Sequence, residues 1–382
     1  MHDKQHFAVL DGMRGVAALI VLVFHVVQGR HSEFPEAALA VDFFFILSGF
    51  VIAYAYEAKL ENGMSFRTFA EIRLIRLYPL IFFGVSFGVA VSVVHLKVLG
   101  DISTYQLILG AILGYLLLPC YVYPQWSTVY PMNLPSWSLF FELTANFVYA
   151  LGLRYLSTPR LIFLTILGAI ILAIIAFFTG DVQSTGAFKT GFWLGFGRVL
   201  FPFAAGILLF RFRSPVRYAP WLGCVLPIFL AVLLLSPVGQ SPVLDLLYII
   251  VLFPSIVRLG ASINVGPKLT NVFLAAGKMS YPLYITHHPL LRVFYRLEEH
   301  IHVSEPLFLV IETLACIVFA YCALRFYDEP LRAMLNSLSR RSLVREAVPR
   351  LSGMRLPLGY YPLPLRRTSR QVESKITPPT PS

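Results

Sequence analysis

The sequence predicts an all-α fold, a polytopic membrane helix bundle of about ten transmembrane helices. Three observations carry this. Of 382 residues, 57% are hydrophobic and only 13% are charged, against roughly 25% charged in an average soluble domain. The mean hydropathy of +0.71 leaves too little polar surface to cover a fold in water. The apolar residues also gather in runs close to the ~20 that a helix needs to cross the hydrocarbon core. A soluble enzyme, a disordered chain and a secreted disulfide scaffold are thereby excluded. Cys120, Cys224, Cys316 and Cys322 are scattered, and no Cys/His group has metal-ligand spacing, so no metal site is expected.

The runs fall at 8–28, 37–57, 77–98, 137–156, 161–179, 192–210, 218–235, 243–257, 272–294 and 306–326. The first carries Asp11 and Arg14 and lacks a small-residue cleavage site, so it is expected to stay in place as a span. An eleventh run, 105–118, is shorter and ends in the aromatic stretch PCYVYPQWSTVYPMNLP. Charge decides its treatment, because Lys and Arg concentrate on the cytoplasmic side. If this run is a re-entrant or interfacial segment, ten spans remain and both termini are cytoplasmic. Lys4, Lys59, Arg67, Arg154, Arg160, Arg211 and Arg213 then share that side, while Arg30, Lys97 and Lys189 lie opposite. Counting it as a full span would invert every later loop and turn the arginine-rich C-terminal end outward.

The expected folded domain covers 7–331, and 337–382 reads as a disordered, basic, Pro-rich cytoplasmic tail without apolar periodicity. The net charge of +11 belongs mostly to that end: from Arg325 onward, eleven Lys and Arg stand against Asp328, Glu329, Glu346 and Glu373. The basic balance therefore marks a tail beside anionic membrane lipid and calls for no nucleic acid.

Ionisable groups inside spans are costly and point to function. In FAVLDGMRGVAALIVLVFHVV, Arg14 and His25 are eleven residues apart. They share one helix face, separated by ~16 Å of rise. Asp42, in AVDFFFILSGFVIAYAY, lies at the same side of the bilayer as His25. It reads either as a helix-start carboxylate favoured by the macrodipole or as a partner that orients the imidazole. Arg73 and Arg76, in the loop EIRLIRLYPL, project from one face if that stretch is helical. They suit bidentate binding of phosphate or simple membrane anchoring. In LPSWSLFFELTANFVYA, Ser138 and Glu142 share a face, with Glu142 about one turn inside the outer boundary. Arg198, in GFWLGFGRVLFPFAAGILL, lies at similar depth and is a candidate counter-charge for Glu142. In AAGKMSYPLYITHHPLL, Ser280, Tyr284 and His287 line one helix face, as a polar packing seam or a channel wall.

The segments LDGMRGVAALIVLVFH, VDFFFILSGFVIA, RLIRLYPL, PSWSLFFE and GKMSYPLYITHHP occur in this order. With them the chain resembles the acyltransferase-3 family of bacterial membrane proteins, which acylate cell-surface carbohydrates, from about Phe7 to Leu331. The resemblance implies a central catalytic pair in Arg14 and His25, with Arg73 and Arg76 holding acyl-CoA. It also implies roles for Trp137, Ser138 and Glu142, and for Ser280, Tyr281, Tyr284 and His287 along the substrate channel. The implied protein is an O-acyltransferase of the bacterial inner membrane. Its donor would be acetyl-CoA or another acyl-CoA, its acceptor a surface glycan or lipid-linked precursor, and it would hold no permanent cofactor. The expected mechanism has His25 acting as general base or transient acyl carrier, with Asp42 or Glu142 setting its tautomer. The alternative is a glycan or lipid-linked carbohydrate transporter, in which the same buried charges would serve a proton or substrate path. The paired broken helices of many transporters are not evident in the sequence.

Overall fold

The computed structural model describes residues 7–28, 34–94, 96–97, 100–214, 216–237, 241–298, 300 and 303–339. The chain separates into a unit over Met1–Leu335 and a second over Asn336–Ser382. The expected tail falls, from residue 340 on, outside the described residues, as do Lys4 and Arg30. Among the described residues every regular element is helical, and β structure is confined to two isolated bridges.

In order, α1 is Ala8–Val27, and a 3₁₀ turn at Pro35–Leu39 leads into α2, Ala40–Glu61. Then come α3 (Phe66–Val94), α4 (Thr104–Tyr115), α5 (Ser136–Gly152), α6 (Thr158–Thr179), α7 (Gly195–Arg211) and α8 (Leu222–Leu234). A π segment, Leu247–Leu252, joins α9 (Pro242–Leu246) to α10 (Phe253–Gly260). Last come α11 (Pro267–Glu298) and α12 (Glu305–Cys322), which runs into a second π segment, Ala323–Asp328. Six stretches are long and apolar enough to cross a membrane: Ala8–Val27, Pro35–Glu61, Phe66–Val94, Thr158–Thr179, Pro242–Gly260 and Glu305–Ser339. The outward faces are apolar too. On α6, Phe163, Ile166, Ile170, Ile174 and Phe178 are all exposed, which suits hydrocarbon and would be ruinous in water. The protein is an all-α membrane bundle.

Three elements differ in detail from the sequence reading. The stretch expected as a loop around Arg73 and Arg76 is the first part of α3, with Pro79 inside the helix. Averaged hydropathy drops at those arginines, but nothing in the backbone chemistry stops the helix there. The expected span at 218–235 shortens to the 13 residues of α8. Tyr218 N–H is held by Ser262 O at 3.2 Å, pinning the approach as a turn. The short run near 105–118 is α4, whose 12 residues rise only ~18 Å, well below the ~30 Å core. Ser103 and Gln106 cap its start reciprocally, at 3.2 and 2.7 Å.

Helix crossings are set by small residues. Helices α2 and α7 run parallel, with Gly49 against Phe203 O and Gly206 against Ile46 O; a Cβ at either glycine would lie 2.1 Å from that carbonyl oxygen. Helices meet this closely in membranes because packing, with no hydrophobic drive, holds them together. Gly206→Ala is therefore expected to destabilise the fold by at least the ~1–3 kcal/mol typical of overpacking, read as a lower thermal midpoint of the purified protein in detergent. An unchanged midpoint would mean that the helices do not touch there. At one end of the crossing, Glu57 accepts from Tyr149 Oη at 2.6 Å and from Arg211 Nε at 2.9 Å, joining α2, α5 and α7.

The aromatic segment between α4 and α5 pairs with the chain before α7. Lys189 N–H donates to Ser127 O at 2.9 Å, and Val129 N–H to Ala187 O at 3.2 Å. Burial pushes the Tyr123 phenol up, so it stays neutral and donates to Gln106 O at 2.6 Å. Asn133 Nδ2 donates to Ile285 O at 2.9 Å and Arg292 Nη1 to Pro131 O at 3.1 Å. The segment is thus laid along the same stretch of α11 that carries the histidines.

Candidate active site

Helices α1 and α11 lie side by side and parallel, because Gly15 lets α1 approach Ala276 of α11: a Cβ there would sit 2.6 Å from the alanine methyl. Near the start of both helices Arg14 Nη2 donates to Asp11 Oδ1 at 2.5 Å and to Gly277 O at 3.3 Å. Near the other end Tyr295 Oη donates to His25 O at 2.7 Å. One shared crossing therefore holds an arginine end and a histidine end, separated by ~16 Å of helix.

Between them opens a cavity of about 290 Å³, lined by α1, α2, α3, α5, α11 and the continuation of α12. Its mouth is polar: Arg14, Arg73, Arg76, Lys278 and Arg332 stand there with Glu142, Asp328 and Glu329. Arg76 and Lys278 are exposed, whereas Arg73 is buried and donates from Nη2 to Glu142 Oε1 at 3.1 Å. Ser48 Oγ donates to the same oxygen at 2.8 Å. The two arginines that sequence grouped as a pair therefore divide: Arg76 faces incoming solute, and Arg73 is bound to the wall. The middle of the cavity is apolar, with Phe44, Phe45, Val51 and Leu139.

Ser138 and Tyr284 close its inner end, their hydroxyls 2.7 Å apart and both side chains buried. Tyr281 Oη donates to Leu77 O at 2.6 Å, tying α11 to α3, and Ser280 Oγ donates within its own turn to Gly277 O.

Beyond Tyr284 lie the histidines. The Tyr284 and His287 rings are 6.2 Å apart, and His287 stacks on His25 at 5.2 Å with an interplanar angle of 25°. His288, absent from the sequence-based candidates, sits edge-on to His25 at 6.0 Å. The Nδ1 of His287 is 2.9 Å from Leu283 O, an atom that only accepts, so Nδ1 carries the proton. Its Nε2 is then a lone-pair base, buried with no hydrogen-bond partner. In His25, Nδ1 meets Gln28 Oε1 at 3.0 Å; with Nδ1 donating to that oxygen, Nε2 of His25 is left as a base.

Two sequence expectations need correction here. Arg198 is not the partner of Glu142. It makes a bidentate pair with Asp42, Nε to Oδ1 at 2.9 Å and Nη2 to Oδ2 at 2.6 Å, with both side chains essentially inaccessible. Asp42 is accordingly not the group that orients His25, since Arg198 engages both of its oxygens; Gln28 is hydrogen-bonded to the ring instead. Arg198 also donates to Thr185 O at 3.0 Å and Gln183 O at 3.2 Å, and its guanidinium lies 5.3 Å from the Trp137 ring centroid. Asp42, Arg198 and Trp137 thus form a clamp behind the cavity and do not line it. Nor do His25 and His287, which lie beyond Tyr284, whereas Arg14, Arg73, Arg76, Ser138, Glu142, Ser280, Tyr281 and Tyr284 do.

The structure adds Gln28, Ser48, Lys278, His288, Asp328 and Arg332 to the site. The His287–His288 doublet was the one visible sign of these. Among the described residues no three His, Cys, Asp or Glu could hold a metal ion. Such an arrangement can receive an anion at its mouth and hold an apolar or neutral group in its middle, with imidazole bases just beyond the Ser138–Tyr284 pair that closes its inner end.

The chain is 37% identical over 157 residues to "Protein 2 in picA locus" of Rhizobium radiobacter, an alignment covering 38% of this chain and 82% of that protein. No solved structure matches. A family model described as an acyltransferase domain matches residues 7–325, which take in α1 to α12 and every cavity residue except Asp328, Glu329 and Arg332. On that match, over most of its length, the chain belongs to the acyltransferase-3 family.

Proposed function

We propose that this chain is an integral-membrane O-acyltransferase that moves an acyl group, acetyl in the simplest case, from acyl-CoA to a hydroxyl of a cell-surface carbohydrate. The observation that carries this reading is the cavity itself, cationic at its mouth and apolar in its middle, with its inner end one helical turn from two stacked imidazoles. A soluble acyl-CoA is a polyanion on a long neutral arm ending in a small thioester. Arg76 grips its phosphates, while Arg73, fixed by Glu142, adds field without moving. The ~16 Å between Arg14 and His25 is roughly the reach of the extended arm.

At the inner end, Nε2 of His25 takes the proton of an acceptor hydroxyl as its oxygen attacks the thioester carbonyl. The carbon–sulfur bond breaks, and the departing thiolate takes the proton back from the imidazolium. Gln28 keeps the ring in the tautomer this needs. Both termini lie on the cytoplasmic side of the bacterial inner membrane in this reading, so the mouth meets cytoplasmic donor. The acceptor reaches the histidines from the opposite side, where the aromatic segment between α4 and α5 covers α11.

The test is transfer or hydrolysis of acetyl-CoA by the purified protein, paired with NMR of surface polysaccharide O-acyl content with and without the gene. A folded protein that does neither, from a strain whose glycan loses its location but not its acylation, would be a transporter. Arg76→Ala is expected to raise the apparent KM for acyl-CoA about tenfold, the loss of one charge-assisted contact to phosphate, with kcat little changed. An unaltered KM would remove Arg76 from the donor site.

A further inference from the structure

The mouth holds more positive charge than α3 supplies. After α12 the backbone widens into the π segment Ala323–Asp328 and then resumes as helix. Such bulges re-aim the residues that follow them and are frequent at functional sites. Here the bulge brings Asp328 and Arg332 into the cavity wall, facing Arg76 and Lys278 across the mouth.

Arg332 Nη2 is 2.5 Å from Asp328 Oδ2, but the pair is lopsided: the aspartate side chain is 2% exposed and the arginine 32%. Neither partner is satisfied. Among the described residues, Asp328 Oδ1 and Arg332 Nε are both buried without a hydrogen-bond partner, which is unfavourable away from water. A guanidinium half-committed to a carboxylate, with about a third of its side chain exposed at a cationic mouth, is arranged to take a second anion. Its planar fork matches phosphate in particular.

We propose that Arg332 is a phosphate-binding residue of the donor site, acting with Arg76 and Lys278, and that Asp328 is the internal anion it shares with, or yields to, the incoming phosphate. This rests on the reading of acyl-CoA as donor. Asp328 and Arg332 lie just beyond residue 325, where the segment matched to the family ends. Asp328 also keeps the mouth from binding phosphate indiscriminately, because its charge must be offset each time an anion enters.

The test is titration of the purified full-length protein in detergent with CoA and, separately, with inorganic pyrophosphate. Arg332→Ala is expected to weaken both about tenfold, and Arg332→Lys, which keeps the charge but not the fork, by less. Asp328→Asn, which keeps shape and an acceptor but removes the competing charge, is expected to tighten both about threefold. These opposite signs separate ligand binding from a structural ion pair, whose two members would weaken binding together. CoA binding indifferent to Arg332→Ala in a folded protein would overturn the inference and leave the donor reading standing. So would an Asp328→Asn variant that weakens CoA binding as Arg332→Ala does. Pyrophosphate binding with the expected variant pattern, but no CoA binding, would support the mouth and overturn the donor. Binding of neither would overturn both. If Arg332→Ala fails to fold, the Arg332→Lys and Asp328→Asn pair carries the same opposed signs.

Discussion

His25→Ala is expected to abolish acyl transfer, by the 100- to 10,000-fold that a positioned general base contributes, in a protein that still folds and still binds CoA. The physical case rests on what the ring does and does not touch. His25 is only partly buried and, among the described residues, makes no ion pair and has a single side-chain hydrogen bond, to Gln28. Removing it therefore breaks no network that holds helices together. The donor mouth, some three helical turns away at Arg14 and Arg76, keeps its geometry. The loss should appear in kcat alone, read from acetyl-CoA turnover and from O-acyl signals of the surface glycan. A purified His25→Ala protein with normal transfer would exclude this ring, and His287 with its unpartnered Nε2 would become the base to test.

Much of the site was legible because it is written along single helices. The eleven-residue interval of α1 and the Ser280–Tyr284–His287 stripe of α11 each fix a face. A parallel crossing then brings the two faces together, with the histidines stacked and Arg14 against Gly277. Sequence failed where the answer depended on which way two separate helices turn toward each other. Depth alone made Arg198 a candidate for Glu142. Rotation about the helix axes instead gave Arg198 to Asp42 and Glu142 to Arg73 and Ser48. Hydropathy also began the third span too late, at residue 77 instead of Phe66, because Arg73 and Arg76 are polar residues inside a continuous helix. The contribution of Arg332 was invisible for another reason: it requires a π turn, which has no hydrophobic period to announce it.

The second large effect concerns the Asp42–Arg198 clamp. Either single change, Asp42→Ala or Arg198→Met, should be severely destabilising, by about 3–5 kcal/mol, because each leaves its partner charged and buried with nothing to offset it. Asp42 is 0% and Arg198 1% exposed, so water cannot enter to help. Removing both charges together, in Asp42→Leu with Arg198→Met, should recover most of that loss, since a buried ion pair is often no more stable than apolar side chains of similar volume. Recovery will be incomplete, because the Thr185 and Gln183 carbonyls lose the donors that Arg198 gave them. Thermal midpoints and monodispersity in detergent measure the cycle. The same cycle separates a structural clamp from a catalytic carboxylate. If Asp42 governed the charge of His25, the double variant would fold and yet be as inactive as His25→Ala. With both Asp42 oxygens committed to Arg198, and Gln28 hydrogen-bonded to His25, the refolded double variant should instead transfer acyl groups. Stability and activity should return together.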